Sequence, residues 1–387
     1  MKKALAVFAA LAVSMFGSVV LAAEGEPSLV KGNIEMYGMA KLSVDSINTG
    51  GKSPADTKLY KVSSNSSRFG LKGSEDLGDG LTAIVQVELG INMDGTTSSV
   101  VSSVTTSGGL VTGTKTTDVN TISFRNTFVG LRSDNLGTLL FGTYDTPYKL
   151  STGKLDPFLE TMGDYNSIIS SVNGKVNFDL RFKDTAAYLS PTWSGLQLMA
   201  STSTSGTEAS NGATGNPSAS SASLSYTGGP LYASLAYESH KNGFADGDKA
   251  GKMKNTGAKA GLGFTTGGTK IGLVYESLKD DTADSANSRD AYFIAVSQTI
   301  GKETIKLAYG VAADGKGPAT KTGATLVAIG VDHAFSKRTT VYALYAAVKN
   351  DAGATYGIGT GGAGGSYVPG VAGEDPSVIS IGLNHSF

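Results

Sequence analysis

The 387-residue sequence has no cysteine, one tryptophan and three histidines. The missing cysteines remove disulfides, thiolate nucleophiles and Cys-ligated metals together. Three histidines leave little material for a Ser/His catalytic pair or an imidazole metal site. Charge is scarce, at 17% of residues, and balanced, with 32 Lys and Arg against 33 Asp and Glu. No global field therefore selects a nucleic acid or an anionic membrane. Long apolar runs are also few. A spanning helix needs about 20 consecutive apolar residues, and only the N-terminus offers such a run. Glycine, by contrast, is abundant: 52 residues, or ~13% against a usual ~7%.

Residues 1–23, MKKALAVFAALAVSMFGSVVLAA, combine two lysines, an apolar stretch and a small-residue end at Ala22 and Ala23. This is the pattern of a secretory signal peptide. The expected mature chain, 24–387, is a single domain with 30 basic and 33 acidic residues. With no further run long enough for a membrane helix, it is either a soluble exported protein or a transmembrane barrel. Barrel strands need only about 9–11 residues of alternating character.

From residue 33 onward the dominant period is two. In IEMYGMAKLSVD, Ile34, Met36, Ala40, Leu42 and Val44 share one face, and Glu35, Tyr37, Lys41, Ser43 and Asp45 the other. LTAIVQVEL opposes Val85 and Val87 to Gln86 and Glu88, and TKIGLVYESL and ETIKLAYGV repeat the pattern. Short turns at 74–80, 133–137, 190–195, 227–229, 265–268, 299–303 and 335–338 alternate with long polar loops near 47–57, 93–119, 146–176, 202–218, 241–254, 280–288, 313–321 and 350–376. Seven turns and eight loops separate sixteen strands. The sorting by length predicts an all-β, antiparallel transmembrane barrel with short periplasmic turns and long external loops. Such a barrel pairs every backbone group without an edge, so apolar alternates face lipid and polar ones face water. Phe69, Phe128, Tyr144, Tyr188, Tyr226, Tyr275, Tyr309 and Tyr342 fall near strand ends, where interfacial aromatic girdles form. Trp193 in SPTWSG reads as an interfacial anchor, and the glycine run GTGGAGGSYVPG (359–370) as flexible external loop.

Several segments carry a resemblance: SSRFGLKGSEDLGDGLTAIVQVE, FRNTFVGLRSDNLGTLLFG, RFKDTAAYLSPTWSGL, VDHAFSKRTTVYALYA and the terminal SIGLNHSF. Through them the chain resembles the Gram-negative general diffusion porins nearly end to end. The resemblance implies a homotrimer of sixteen-stranded barrels in the bacterial outer membrane, each passing small hydrophilic solutes and ions without a cofactor. It also implies that Phe387 belongs to a signal read by the outer-membrane assembly machinery. The loop 146–176 is then the inward-folded constriction loop, its acids Asp156, Glu160 and Asp164 facing a basic wall of Lys41, Arg68, Arg125 and Arg181. Alternation independently puts those four on the lumen side, with Lys72 and Lys183 as weaker candidates. Thr143 stands where the family often has Arg, which leaves the sign of ion preference open. Asp184 falls on the lipid side by alternation and calls for an interface, a bulge or a rim position.

Other functional classes fit less well. An outer-membrane hydrolase needs a placed nucleophile and base, but alternation puts His333 and His385 on the lipid face and His240 at a loop boundary. The glycine runs lack the GKS/T ending of a phosphate loop. A substrate-specific porin would show an aromatic track or dense basic rings, and a soluble adhesin would not sort its connections by length.

Overall fold

The computed structural model describes residues 33–51, 58–95, 98–105, 111–119, 122–172, 176–204, 217–241, 244, 254–280, 288–317 and 319–387. The expected signal peptide lies outside these residues. Sixteen strands follow one another around a closed sheet. They are β1 (Asn33–Asn48), β2 (Lys58–Ser64 continuing as Arg68–Gly78), β3 (Leu81–Ile91), β4 (Ile122–Phe124 continuing as Thr127–Ser133), β5 (Gly137–Asp145) and β6 (Arg181–Leu189). Then come β7 (Leu196–Thr204), β8 (Ser218–Gly228), β9 (Leu231–Lys241), β10 (Lys254–Thr266) and β11 (Thr269–Lys279). The circuit ends with β12 (Arg289–Ile300), β13 (Glu303–Ala312), β14 (Ala324–Ala334), β15 (Thr339–Asn350) and β16 (Ser377–Ser386).

Each strand pairs antiparallel with the next, and β16 closes on β1 from Met39 opposite Ser386 to Asn48 opposite Ser377. Phe387 extends the seam, exchanging 3.0 Å backbone bonds with Gly38 in both directions. Its ring lies over Gly38, where a side chain would collide with it. The second long loop carries a hairpin of Ser98–Thr105 and Val111–Val119.

The faces divide as the period of two requires. Val44, Val85, Leu235, Ile294, Leu307 and Ile381 are exposed on the outside, while Lys41, Ser43, Asp45 and Glu88 are buried within. The shortest turns are tight and built on left-handed residues, such as Asp79 and Gly80 after β2 and Gly267 and Gly268 after β10. Trp193 bridges to Leu196 in the turn after β6 and is exposed.

Two strands change parity partway. In β2 the outward residues are Tyr60 and Val62 above the break and Leu71 below it. One extra residue causes the switch: Ser64 lies opposite Leu42 but Arg68 lies opposite Met39, with Ser66 at φ 57° between them. β4 repeats the device. Phe124 pairs with Leu89 and Phe128 with Gln86, so outward Ile122 and Phe124 give way to outward Val129. A single inserted residue moves a whole strand segment to the other face. The same geometry accounts for Asp184: the β5–β6 register slips between Phe182 and Thr185, and Asp184 sits in that bulge at φ 49°.

Three expectations are corrected. Tyr342 is not a girdle residue; it points inward, is 2% exposed and receives a 3.3 Å hydrogen bond from the Asn65 amide. The inner face of β11–β15 is not lined mainly by polar alternates: Val274, Ala291, Phe293, Ala295, Ala308, Leu326, Ala328, Leu344 and Val348 form a hydrophobic core there, beside buried Glu276, Arg289 and Lys306. The glycine run after β15 is packed: Ile358 and Ala363 are buried, and Gly364 donates to Asn65.

Candidate permeation site

The chain leaves β5 at Asp145 and turns into the barrel. Thr146 caps a single helical turn, Pro147–Leu150, by accepting from Lys149 N. A 3-10 turn follows at Gly153–Leu155 and another at Tyr165–Ser167. This loop lies on the opposite inner wall because that wall is made of small residues. Leu155 covers Gly263 and Gly272, Phe158 covers Gly330, Gly163 lies against Ala328, and Ile168 covers Gly310. Added side chains at Gly272 or Gly310 would meet the loop itself. Two buried side chains pin its far end: Arg289 donates to the Ile168 and Ser171 carbonyls, and Lys259 pairs with Asp179. The last loop closes over it, with Gly359 N donating to Ser167 Oγ at 3.1 Å and Thr360 Oγ1 to Asn166 O at 2.7 Å.

Glu160, at φ 58°, is the loop carboxylate that reaches the basic wall. Its oxygens take Lys41 Nζ at 2.9 Å, Arg68 Nη1 at 2.8 Å and Nη2 at 3.1 Å, and Arg125 Nη2 at 3.3 Å. Burial alone would raise Glu160, but the Lys41 and Arg68 charges outweigh it and hold the carboxyl at about 2. The two arginines meet it because of the strand bulges: Arg68 follows the one in β2, and Arg125 lies within the one in β4. Arg125 also pairs through Nε with Glu88 at 2.8 Å, and Tyr37 OH donates to Glu88 at 2.9 Å.

The remaining candidates are placed differently. Arg181 binds Asp145 at 3.0 Å and Asn126 at 2.8 Å, and Lys149 binds the same Asp145 at 2.8 Å. Asp156 and Asp164 do not face the wall; both are buried inside the loop as backbone acceptors. Asp156 receives Phe158 N and Tyr165 N, and Asp164 receives Glu160 N and Asn166 N. Burial pushes Asp156 up to about 6, and burial together with the Asp156 charge raises Asp164 well above the usual carboxylate range. Thr143 is half-buried opposite Thr127. Lys72 and Lys183 are exposed, with Lys72 4.3 Å over the Tyr37 ring. His240 is buried near the end of β9, 2.8 Å from Glu238 and stacked on Phe178. Glu88, Asp145 and Lys149 carry the site as much as the residues expected, and alternation put Glu88 on the lumen side without marking it as a partner.

A cavity of about 880 Å³ runs along this charged wall, lined among others by Arg68, Glu88, Arg125, Glu160 and Arg181. A closed sixteen-stranded antiparallel barrel with apolar outer and charged inner surfaces defines an outer-membrane β-barrel protein. The sequence matches the Gram-negative porin family over residues 6–354, and the chain belongs to that family. It is 30% identical over 182 residues to an outer membrane porin protein of Bordetella pertussis, a match spanning 45% of this chain and 42% of that relative. The chain therefore aligns with less than half of that relative's length. Its fold is similar to that of an anion-selective porin from Comamonas acidovorans, with a TM-score of 0.72 at 22% identity over 92% of this chain and 100% of that one. The trimer form of Vibrio cholerae OmpT gives 0.63 at 17% identity, over 92% and 99% of the two chains.

Proposed function

We propose that this protein is a passive channel for small hydrophilic solutes and ions across the bacterial outer membrane, narrowed by its third external loop. The observation that carries the reading is Glu160, held from the loop against Lys41, Arg68 and Arg125 beside a cavity of about 880 Å³ that charged side chains help to line. Because Glu160 pairs directly with these cations, the passage runs beside them through the cavity, whose charged lining orients dipolar solutes and disfavours apolar ones, which cannot replace the water they displace. Two unit charges ~8 Å apart interact by roughly 0.5 kcal/mol at the dielectric of water and ~2 kcal/mol at an effective value of 20. Energies of this size bias passage without trapping the solute, which conduction requires.

Five basic side chains, Arg68, Arg125, Lys149, Lys154 and Arg181, line the cavity with four acidic ones, Glu88, Asp145, Glu160 and Asp179. This excess supports a mild preference for anions over the unselective alternative. A homotrimer, an N-terminal signal peptide over 1–23 and recognition of Phe387 by the assembly machinery complete the proposal. The test is single-channel recording in planar bilayers under a salt gradient. A large, water-like conductance with a small anion-directed reversal potential is expected; absence of channels would defeat the reading, and saturable flux of one solute would favour a substrate-specific porin.

A further inference from the structure

The inner wall where β16, β1 and β2 meet holds a carboxylate that the constriction does not use. Asp45 of β1 is 0% exposed. Its Oδ2 accepts one hydrogen bond, from Ser43 Oγ at 3.1 Å, and its Oδ1 accepts none. A buried carboxylate ordinarily has a cation or several donors around it. No ion pair reaches Asp45 among the described residues. Two lysines share its face, and both are committed elsewhere. Lys61, directly opposite on β2, gives Nζ to Gly364 O at 2.6 Å, and Lys41 of β1 gives Nζ to Glu160 at 2.9 Å.

Two further unsatisfied oxygens lie on the neighbouring strands. Ser380 of β16 stands directly opposite Asp45, and Ser63 of β2 directly opposite Ser43. Both are buried, and neither hydroxyl has a hydrogen-bond partner. The last loop roofs the group. A side chain at Gly365 would meet Asp45 Oδ2 at 2.5 Å and Ser63 Oγ at 2.7 Å, and the roof is tied down where Gly364 N donates to Asn65 at 3.1 Å. Water can satisfy the two hydroxyls but leaves the buried charge uncancelled. A hard cation satisfies both needs with oxygen donors alone. One carboxylate among neutral oxygens balances a single positive charge.

We propose that Asp45, Ser63 and Ser380 bind one alkali-metal cation, sodium or potassium, beneath the last loop. None of the three lines the cavity along the charged wall, so the proposal can fail while the channel reading stands.

The test is crystallography of the full chain with thallium(I) nitrate as the probe, a monovalent ion that scatters anomalously. An anomalous peak is expected against Asp45 Oδ1 in the wild type, lost on soaking in excess sodium or potassium nitrate and kept in an equal concentration of calcium nitrate. Asp45→Asn should lose the peak. Ser63→Ala with Ser380→Ala, which leaves the carboxylate in place, should lower it at the same thallium concentration. The absence of a peak in the wild type overturns the proposal, as does a peak that survives in Asp45→Asn, that calcium removes, or that neither alkali cation displaces. If Asp45→Asn does not assemble, the double serine variant decides, because an undiminished peak there would exclude the hydroxyls as ligands.

Discussion

At the scale of single residues, Glu160 and its two acidic neighbours separate by role. Asp156 and Asp164 spend their oxygens on loop N–H groups, whereas Glu160 spends its own on three wall cations. Glu160→Gln is therefore expected to move the reversal potential toward anions, and Arg68→Ser toward cations. Asp156→Asn should leave ion preference near the wild-type value and act on the loop instead, seen as noisier single-channel current. The pH dependence follows from the sign of the Glu160 shift. A carboxyl held at about 2 keeps its charge, and its grip on the wall, throughout the range above its ordinary value, and loses both as pH falls through about 2. Reversal potential should then be flat from pH 7 to pH 4; a step inside that window that persists in Asp156→Asn, whose own carboxyl sits at about 6, would remove Glu160 from the selectivity device. The sequence could name three acids in this loop but could not rank them, because a loop has no period to say which way a side chain points.

At the scale of elements, alternation was enough to read the strands and their number, and it set Lys41, Arg68, Arg125 and Arg181 on the inner face. It did not show why two of those cations meet. Arg68 and Arg125 depend on one inserted residue each in β2 and β4, and an insertion inside a strand resembles ordinary sequence until its partner's register is known. Deleting Ser66 should turn the upper half of β2 over, driving Lys61 toward lipid, and abolish heat-modifiable assembly. The glycines at 272, 310 and 330 were likewise visible on the inward parity, yet in isolation they look like weak strand positions rather than a seat for a loop. Gly272→Val tests that seat, since its side chain would meet the Leu155 backbone. Overpacking of this kind costs about 1–3 kcal/mol. The barrel should still assemble, with the displaced loop reported as altered conductance.

At the scale of the whole molecule, one seam turns a sheet into a cylinder. Ten register pairs join β16 to β1, and Phe387 adds two further backbone bonds. Removing Phe387 should lower the yield of heat-modifiable barrel while leaving the conductance of assembled channels unchanged, measured on the same preparation. The uneven filling of the interior has a further consequence. Because the third loop rests on the inner side of β10–β15, a travelling solute would brush mainly the arc from β1 to β6. The remaining arc serves as foundation. Substitutions that preserve its smallness can accumulate there without altering what passes, so transport behaviour should track those six of the sixteen strands, and engineering of the channel should begin on them.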